Sequence, residues 1–257
     1  MSTPFDKLAG AIHRRGYHNH RLEGHSDEVS DGILADLLEV CGPLRADFER
    51  DTVGAWKNVP SPSDRERRID LLIAERLPDG GPDLSTTRVG IENKSVATAH
   101  RNKTNRYDDL IKLLGAYQSS RPETVLVATV IVGTAMRYLN IPDGVRKHYE
   151  GDFQSDVLPR LSTGDESLWT QFRTSVSDNK AYQPAQTAAY FRDKIPTRPP
   201  GMTHVPGYDF VLIVPMHIDN VAPPYVDRQF ESDVDHDGEY NRMVASVCRA
   251  YMARWHS

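Results

Sequence analysis

Ile69-Asp70-Leu71-Leu72-Ile73 and, further on, Val89-Gly90-Ile91-Glu92-Asn93-Lys94-Ser95 are the stretches whose reading decides the fold. In both, aliphatic and β-branched residues surround single polar ones, the composition of short strands. Residues two apart on a strand share a face, so Glu92 and Lys94 emerge side by side. If the two strands pair, Asp70 joins them, and one sheet edge gathers two carboxylates and an ammonium. Hard divalent cations such as Mg2+ bind in oxygen-rich corners of this kind. A neighbouring lysine can position a water or offset charge on a phosphate under attack. The plain alternative puts Asp70 and Glu92 on the wet face of an antiparallel hairpin, with Lys94 as a cross-strand partner. Against it stands the cost of placing charges within apolar strand runs.

Working outward, the flanking segments alternate between helical and strand patterns. His25 to Cys41 reads as a helix, with Ser26 as its N-cap and Val29, Ile33, Leu37 and Cys41 on one stripe. Tyr107 to Gln118 repeats Leu110, Leu113, Leu114 and Tyr117 at helical spacing. Thr124 to Gly133 is apolar nearly throughout, the signature of a strand buried on both faces. Tyr208 to Pro215 reads as a further strand, and Glu239 to Trp255 as a closing helix. Helix, meander hairpin, helix and buried strand is an α/β order with a mixed sheet.

Asp70, twenty-one residues and then Glu92-Asn93-Lys94, in that element order, resembles the active-site core of the PD-(D/E)XK nuclease superfamily, which includes most type II restriction endonucleases. The resemblance covers residues 26–133, with Ile69 where the family's usual proline stands. It implies a restriction-endonuclease-like core, a mixed central sheet flanked by helices, with an inserted or appended recognition lobe. The implied activity is Mg2+-dependent hydrolysis of double-stranded DNA, leaving a 5′-phosphate. In that scheme Asp70 and Glu92 hold one or two Mg2+ ions, with the Asn93 carbonyl as a further ligand. Lys94 orients the attacking water. An acid at the amino end of the first helix, Glu28 ahead of Asp31, serves as an outer or second-metal ligand. For either acid, a place against the helix dipole is an equal alternative. A palindromic target implies a homodimer. The rival readings are a non-catalytic DNA-binding or assembly module of the same fold, and a repair, RNA- or structure-specific nuclease.

At 257 residues the chain is long enough for one large domain or a core with an inserted lobe. The expected division is a nuclease core over 1–133, a DNA-recognition insertion over 134–207, rich in proline towards its end, and a return strand and helix over 208–257. Net charge is −5, so a general basic coat is excluded and local distribution carries the argument. Arg65, Arg67 and Arg68 precede Asp70. From Arg88 to Arg106 five basic residues stand against Glu92 alone, a balance of +4. Arg68, Arg101, Asn102, Lys103, Asn105 and Arg106 are the expected DNA contacts.

No apolar run approaches the roughly 18 residues that span a bilayer, and no nucleotide-binding glycine motif occurs. The start of the chain lacks a signal peptide's apolar core. Cys41 and Cys248 fall in predicted helices and are expected as reduced thiols, which suits a cytoplasmic protein. Asp233 to Gly238 begins like a calcium loop but has Val244 at the twelfth position, and reads as a turn into the last helix.

Overall fold

The structure, a computed structural model, describes residues 2–15, 23–62, 67–97, 100–141 and 151–256. Arg65 lies outside them. Three helices, α1 (Pro4–Arg15), α2 (Glu23–Val40) and α3 (Gly42–Glu49), precede an antiparallel meander of β1 (Val53–Pro60), β2 (Arg68–Glu75) and β3 (Val89–Val96). A crossover through α4 (Lys103–Gln118) then leads to β4 (Val125–Gly133), parallel to β3. The strands β5 (Arg137–Asn140) and β6 (Ser175–Asp178) form a separate antiparallel pair, enclosing α5 (Leu158–Ser162) and α6 (Glu166–Phe172) in sequence. The chain then runs through α7 (Gln183–Lys194), β7 (Phe210–His217), β8 (Tyr225–Val226) and α8 (His236–Trp255). The main sheet has six strands in the order β1-β2-β3-β4-β7-β8, with β7 parallel to β4 and β8 antiparallel to β7. This is an α/β fold with a mixed central sheet flanked by helices.

Burial explains why the central strand reads as it does. All nine residues of β4 are buried. Val125, Val127 and Ile131 pack into one layer with α1, α2 and α8. Leu126, Ala128, Val130 and Val132 pack into the other with α4 and α7. With helices on both faces no position can be polar without a partner, so the run is continuous rather than alternating. Each fully buried aliphatic side chain contributes roughly 1.5–3 kcal/mol. Gly133 ends the strand where it passes the backbone of Ala97, and a Cβ there would overlap that backbone.

Several expectations are corrected. α2 begins at Glu23, so Ser26 lies inside its first turns and is not the N-cap. β1, α1 and α3 carry no forecast above; β1 mixes glycine, asparagine and proline with few aliphatics and becomes a strand through its pairing with β2. Of residues 134–207, assigned above to a recognition insertion, the stretch around β5, α5 and α6 has its own small core of Leu139, Ile141, Val157, Leu158, Leu161 and Leu168. From α7 onwards the chain is back on the main sheet, with Ala188, Phe191 and Tyr208 in the α4 layer. Cys41 and Cys248 are paired as a disulfide joining the end of α2 to α8, with Cα atoms 5.3 Å apart. They are therefore not free thiols, and the argument from thiols to a reducing compartment falls away. Asp235 caps α8 by accepting the Gly238 N–H at 2.9 Å, so the calcium-like run is a helix start. Among the described residues no helix is long and apolar enough to cross a membrane.

Candidate active site

The β2–β3 hairpin opens where its acids are. Its ladder pairs Ile73 with Val89, Leu72 with Gly90 and Leu71 with Ile91, and ends there. One further step would set Asp70 against Glu92. On the other side of β2, the ladder with β1 skips the step at which Asn58 faces Asp70, and Asn58 has φ +54°. Side-chain alternation slips at the same place. Ile69 packs with Leu72 and Ala74 in the α4 layer, while Leu71 and Ile73 pack in the α2 layer. Strict alternation would put residues 69 and 71 on one face. The kink re-aims Asp70 from the sheet towards α2, the effect a strand irregularity has beside many active sites.

Asp70 is half-buried and takes over the hydrogen bonds that the ladder gives up. Its Oδ2 accepts the Asn93 backbone N–H at 2.6 Å, and the Ser26 hydroxyl of α2 also donates to it. Burial raises its pKa; the Asn93 N–H, Lys94 and Ser26 pull it back, and Asp27 pushes it up again, leaving it raised. In an antiparallel ladder a residue presents N–H and C=O to the same neighbour, so the Asn93 carbonyl faces this gap too. The Asn93 side chain is occupied elsewhere, donating to Ser30 Oγ at 3.2 Å and accepting from the Thr129 hydroxyl at 2.6 Å. It ties β3 to α2 and β4 and leaves only its main chain to the site.

Glu92 is 3% exposed. One carboxylate oxygen, Oε1, contacts the Lys94 ammonium; the other, Oε2, has no hydrogen-bond partner among the described residues. Burial, then the neighbouring charge of Asp70, push its pKa up to about 7, with Lys94 and the Asp70 backbone N–H opposing. A buried carboxylate with an idle oxygen beside a second raised carboxylate is short of positive charge. The donor chemistry fits a hard divalent cation on that ground: the charge of Asp70 reaches Glu92, the Asn93 main chain borders Asp70, and Mg2+ commonly takes one or two carboxylates and completes its shell with water and substrate phosphate. Among the described residues no cluster of three or more His, Cys, Asp or Glu side chains could hold a metal by itself.

The structure brings Asp70, Glu92, Lys94 and the main chain of Asn93 together, and Glu28 lies half-buried in the second turn of α2. Asp27 is the helix acid whose charge reaches Asp70, and it also accepts from the Asn58 amide at 3.4 Å. Asp31 is exposed and pairs with Lys57 at 2.9 Å. Asp27, Ser26 and Ser30 were thus missed. The stripe of Val29, Ile33 and Leu37, carried back one turn, lands beside Ser26 and Ser30 and was the available signal.

The basic residues divide. Arg68 is exposed beside Asp70 and donates to the Asn58 carbonyl at 2.6 Å, bracing the kink. Arg101, Asn102 and Asn105 are exposed at the start of α4, and Asn102 makes no capping bond. Lys103 donates to Gln186 of α7 at 3.1 Å. Arg106 shares Asp109 with Arg67, at 3.5 and 3.0 Å. Arg88, counted above in the basic stretch, is instead held by Asp47 at 2.8 Å and Glu75 at 2.9 Å, and is unavailable to a ligand. No protein-family model, curated protein or solved structure matches the chain, so the reading of this site rests on its own geometry.

Proposed function

We propose that the chain is a Mg2+-dependent endonuclease that hydrolyses phosphodiester bonds of double-stranded DNA from a core of the restriction-endonuclease kind, acting as a type II restriction enzyme and a homodimer. The observation that carries this reading is the idle, buried Oε2 of Glu92 beside Asp70 and Lys94 at an opened hairpin. An oxygen of a buried carboxylate left without a donor, beside a second carboxylate, is a place that added positive charge would fill. Asp70, Glu92 and the Asn93 carbonyl would hold a Mg2+ ion, which would supply Lewis-acid activation and charge neutralisation at the phosphate.

The chain's own residues do the rest. Lys94, with its side chain about one-fifth exposed, presents an ammonium at the mouth of the acid pair. There it orients a water and offsets charge that develops on the phosphate oxygens. Ser26 and the Asn93 N–H fix the Asp70 carboxylate, so it need not reorganise during the reaction. Arg68, Arg101 and Arg106 offer phosphate contacts around the hairpin. The test is incubation with long duplex DNA and Mg2+. Discrete fragments are expected; a smear means degradation without site specificity. Intact DNA with a gel shift means a binding module and overturns the catalytic reading.

A further inference from the structure

Two lysines from different helices converge on one tyrosine ring. Lys103, in the first turn of α4, holds its ammonium 5.5 Å from the Tyr190 ring centroid, and Lys194 of α7 holds its own 4.6 Å away. Tyr107 braces the same ring edge-on at 5.7 Å. Gln186, Tyr190 and Lys194 stand four residues apart in turn, which makes them one stripe along α7. Gln186 accepts the hydrogen bond that fixes Lys103. Neither lysine has a carboxylate partner among the described residues, and Arg101 beside them is exposed. The electron-rich ring face gathers the two cations. They remain like charges on the surface of a protein whose net charge is −5, a local arrangement that a polyanion would complete.

We propose that this ridge, the first turn of α4 together with the stripe on α7, binds successive phosphates of the nucleic-acid substrate. The inference rests on the nuclease reading above and deepens it. It extends the contact surface beyond the hairpin onto α7, which lies within the 134–207 stretch expected to recognise DNA but packs against the main sheet. Chain connectivity supports the placement. β3 leaves the site at Lys94 and runs through His100–Asn102 directly into α4, so the ridge follows the catalytic strand. A lysine pair suits phosphates, which accept a compact point charge without demanding planar geometry.

The experiment is fluorescence anisotropy of a labelled DNA duplex in EDTA over a salt series, so that binding is read without cleavage. Each lost phosphate contact lowers the slope of log K against log salt by about 0.9. Lys103→Gln with Lys194→Gln is therefore expected to lower the slope by about 1.8 and the affinity by about tenfold at moderate salt. The control, Lys7→Gln with Lys180→Gln, removes the same charge from exposed positions elsewhere and should leave the slope unchanged. A ridge variant that matches the control overturns the proposal. So does a wild-type protein that fails to bind the duplex, or a variant that loses heparin affinity while keeping its full DNA slope. Cleavage with Mg2+, run on the same proteins, keeps the two readings apart. Wild-type cleavage with an unaltered variant slope sinks the ridge alone. A fallen variant slope without wild-type cleavage keeps the ridge and sinks the catalysis.

Discussion

Strand β3 has a cluster of buried charge at its start and another in its middle, and the two are built on opposite terms. At the start, Asp47 accepts from the Tyr251 hydroxyl and Arg50 at 2.6 Å, from Arg88 at 2.8 Å and from the His256 ring at 2.9 Å. Arg88 in turn lies over the rings of Tyr251 and Trp255. Burial raises the Asp47 pKa, but hydrogen bonds from Tyr251, His256 and Arg50 outweigh it and bring it down to about 2. In the middle of the strand, Glu92 is as little exposed but lies deeper in the protein, and burial, followed by the charge of Asp70, pushes it up to about 7. The difference lies in the depth of burial together with the supply of donors. Both carboxylate oxygens of Asp47 are supplied with donors, and the cluster ties the last helix to the sheet. The Glu92 cluster is undersupplied, which is where a ligand or a reaction has something to do.

The contrast predicts which cluster matters for what. Asp70→Ala or Glu92→Ala should lower cleavage by a factor on the order of 10³ or more, as expected when a metal ligand and its charge are lost. The melting temperature should hold or rise, because repulsion between the two carboxylates is relieved. Cleavage at the wild-type rate would remove that residue from the site, and a collapse in melting temperature would make the middle cluster structural after all. Asp47→Ala should do the reverse. It should cost about 3 kcal/mol in urea unfolding, since Arg88 is left buried with fewer partners, while cleavage by the folded fraction stays near wild type.

A narrower effect separates charge from geometry at Lys94. Arginine keeps the charge, but its fork is longer and planar and cannot give up a proton. Lys94→Arg should therefore slow single-turnover cleavage, started by adding Mg2+ to a preformed complex, by about 10². A rate within about twofold of wild type would show that positive charge alone suffices there.

The smallest effect is in the pH dependence of stability, and the two clusters differ in its sign. Glu92 binds its proton more tightly when folded than at its ordinary value of 4.5. Its burden on stability is thus absent below about 4.5 and grows to its full size as pH rises through about 7. Asp47, held at about 2 against an ordinary 3.8, stabilises fully above 3.8 and loses that contribution as pH falls through about 2. Thermal melting should show the wild type losing on the order of 1 kcal/mol relative to Glu92→Gln between pH 5 and 8. Added Mg2+ should restore it in the wild type only. Parallel curves for the two proteins, with and without Mg2+, would show that Glu92 is not short of charge.

What the sequence revealed follows the range of the interactions involved. β4 is legible because a strand covered on both faces writes its burial into nine consecutive residues. Asp70, Glu92 and Lys94 are legible because each stands out against an apolar run. The Asp47 cluster is not, since Arg88 meets partners 41 and 163 residues away and looks locally like any other basic residue. Ser26 and Asp27 were hidden by helix phase, because neighbours in sequence diverge by 100° around α2. β1 was hidden because an edge strand kinked at Asn58 satisfies no simple alternation.

The disulfide between Cys41 and Cys248, 207 residues apart in sequence, encloses every strand of both sheets within one covalent ring. Tension applied to the two ends of the chain would run along α2, cross the sulfur bridge and leave through the last turns of α8. The sheet would sit on an unloaded detour. A machine that unravels proteins from one end would stall at Cys41 or Cys248 or have to draw two strands through its pore at once. A protease that cut the proline-rich stretch between α7 and β7 would open the ring and release nothing, since both pieces stay joined until a thiol reductant parts them.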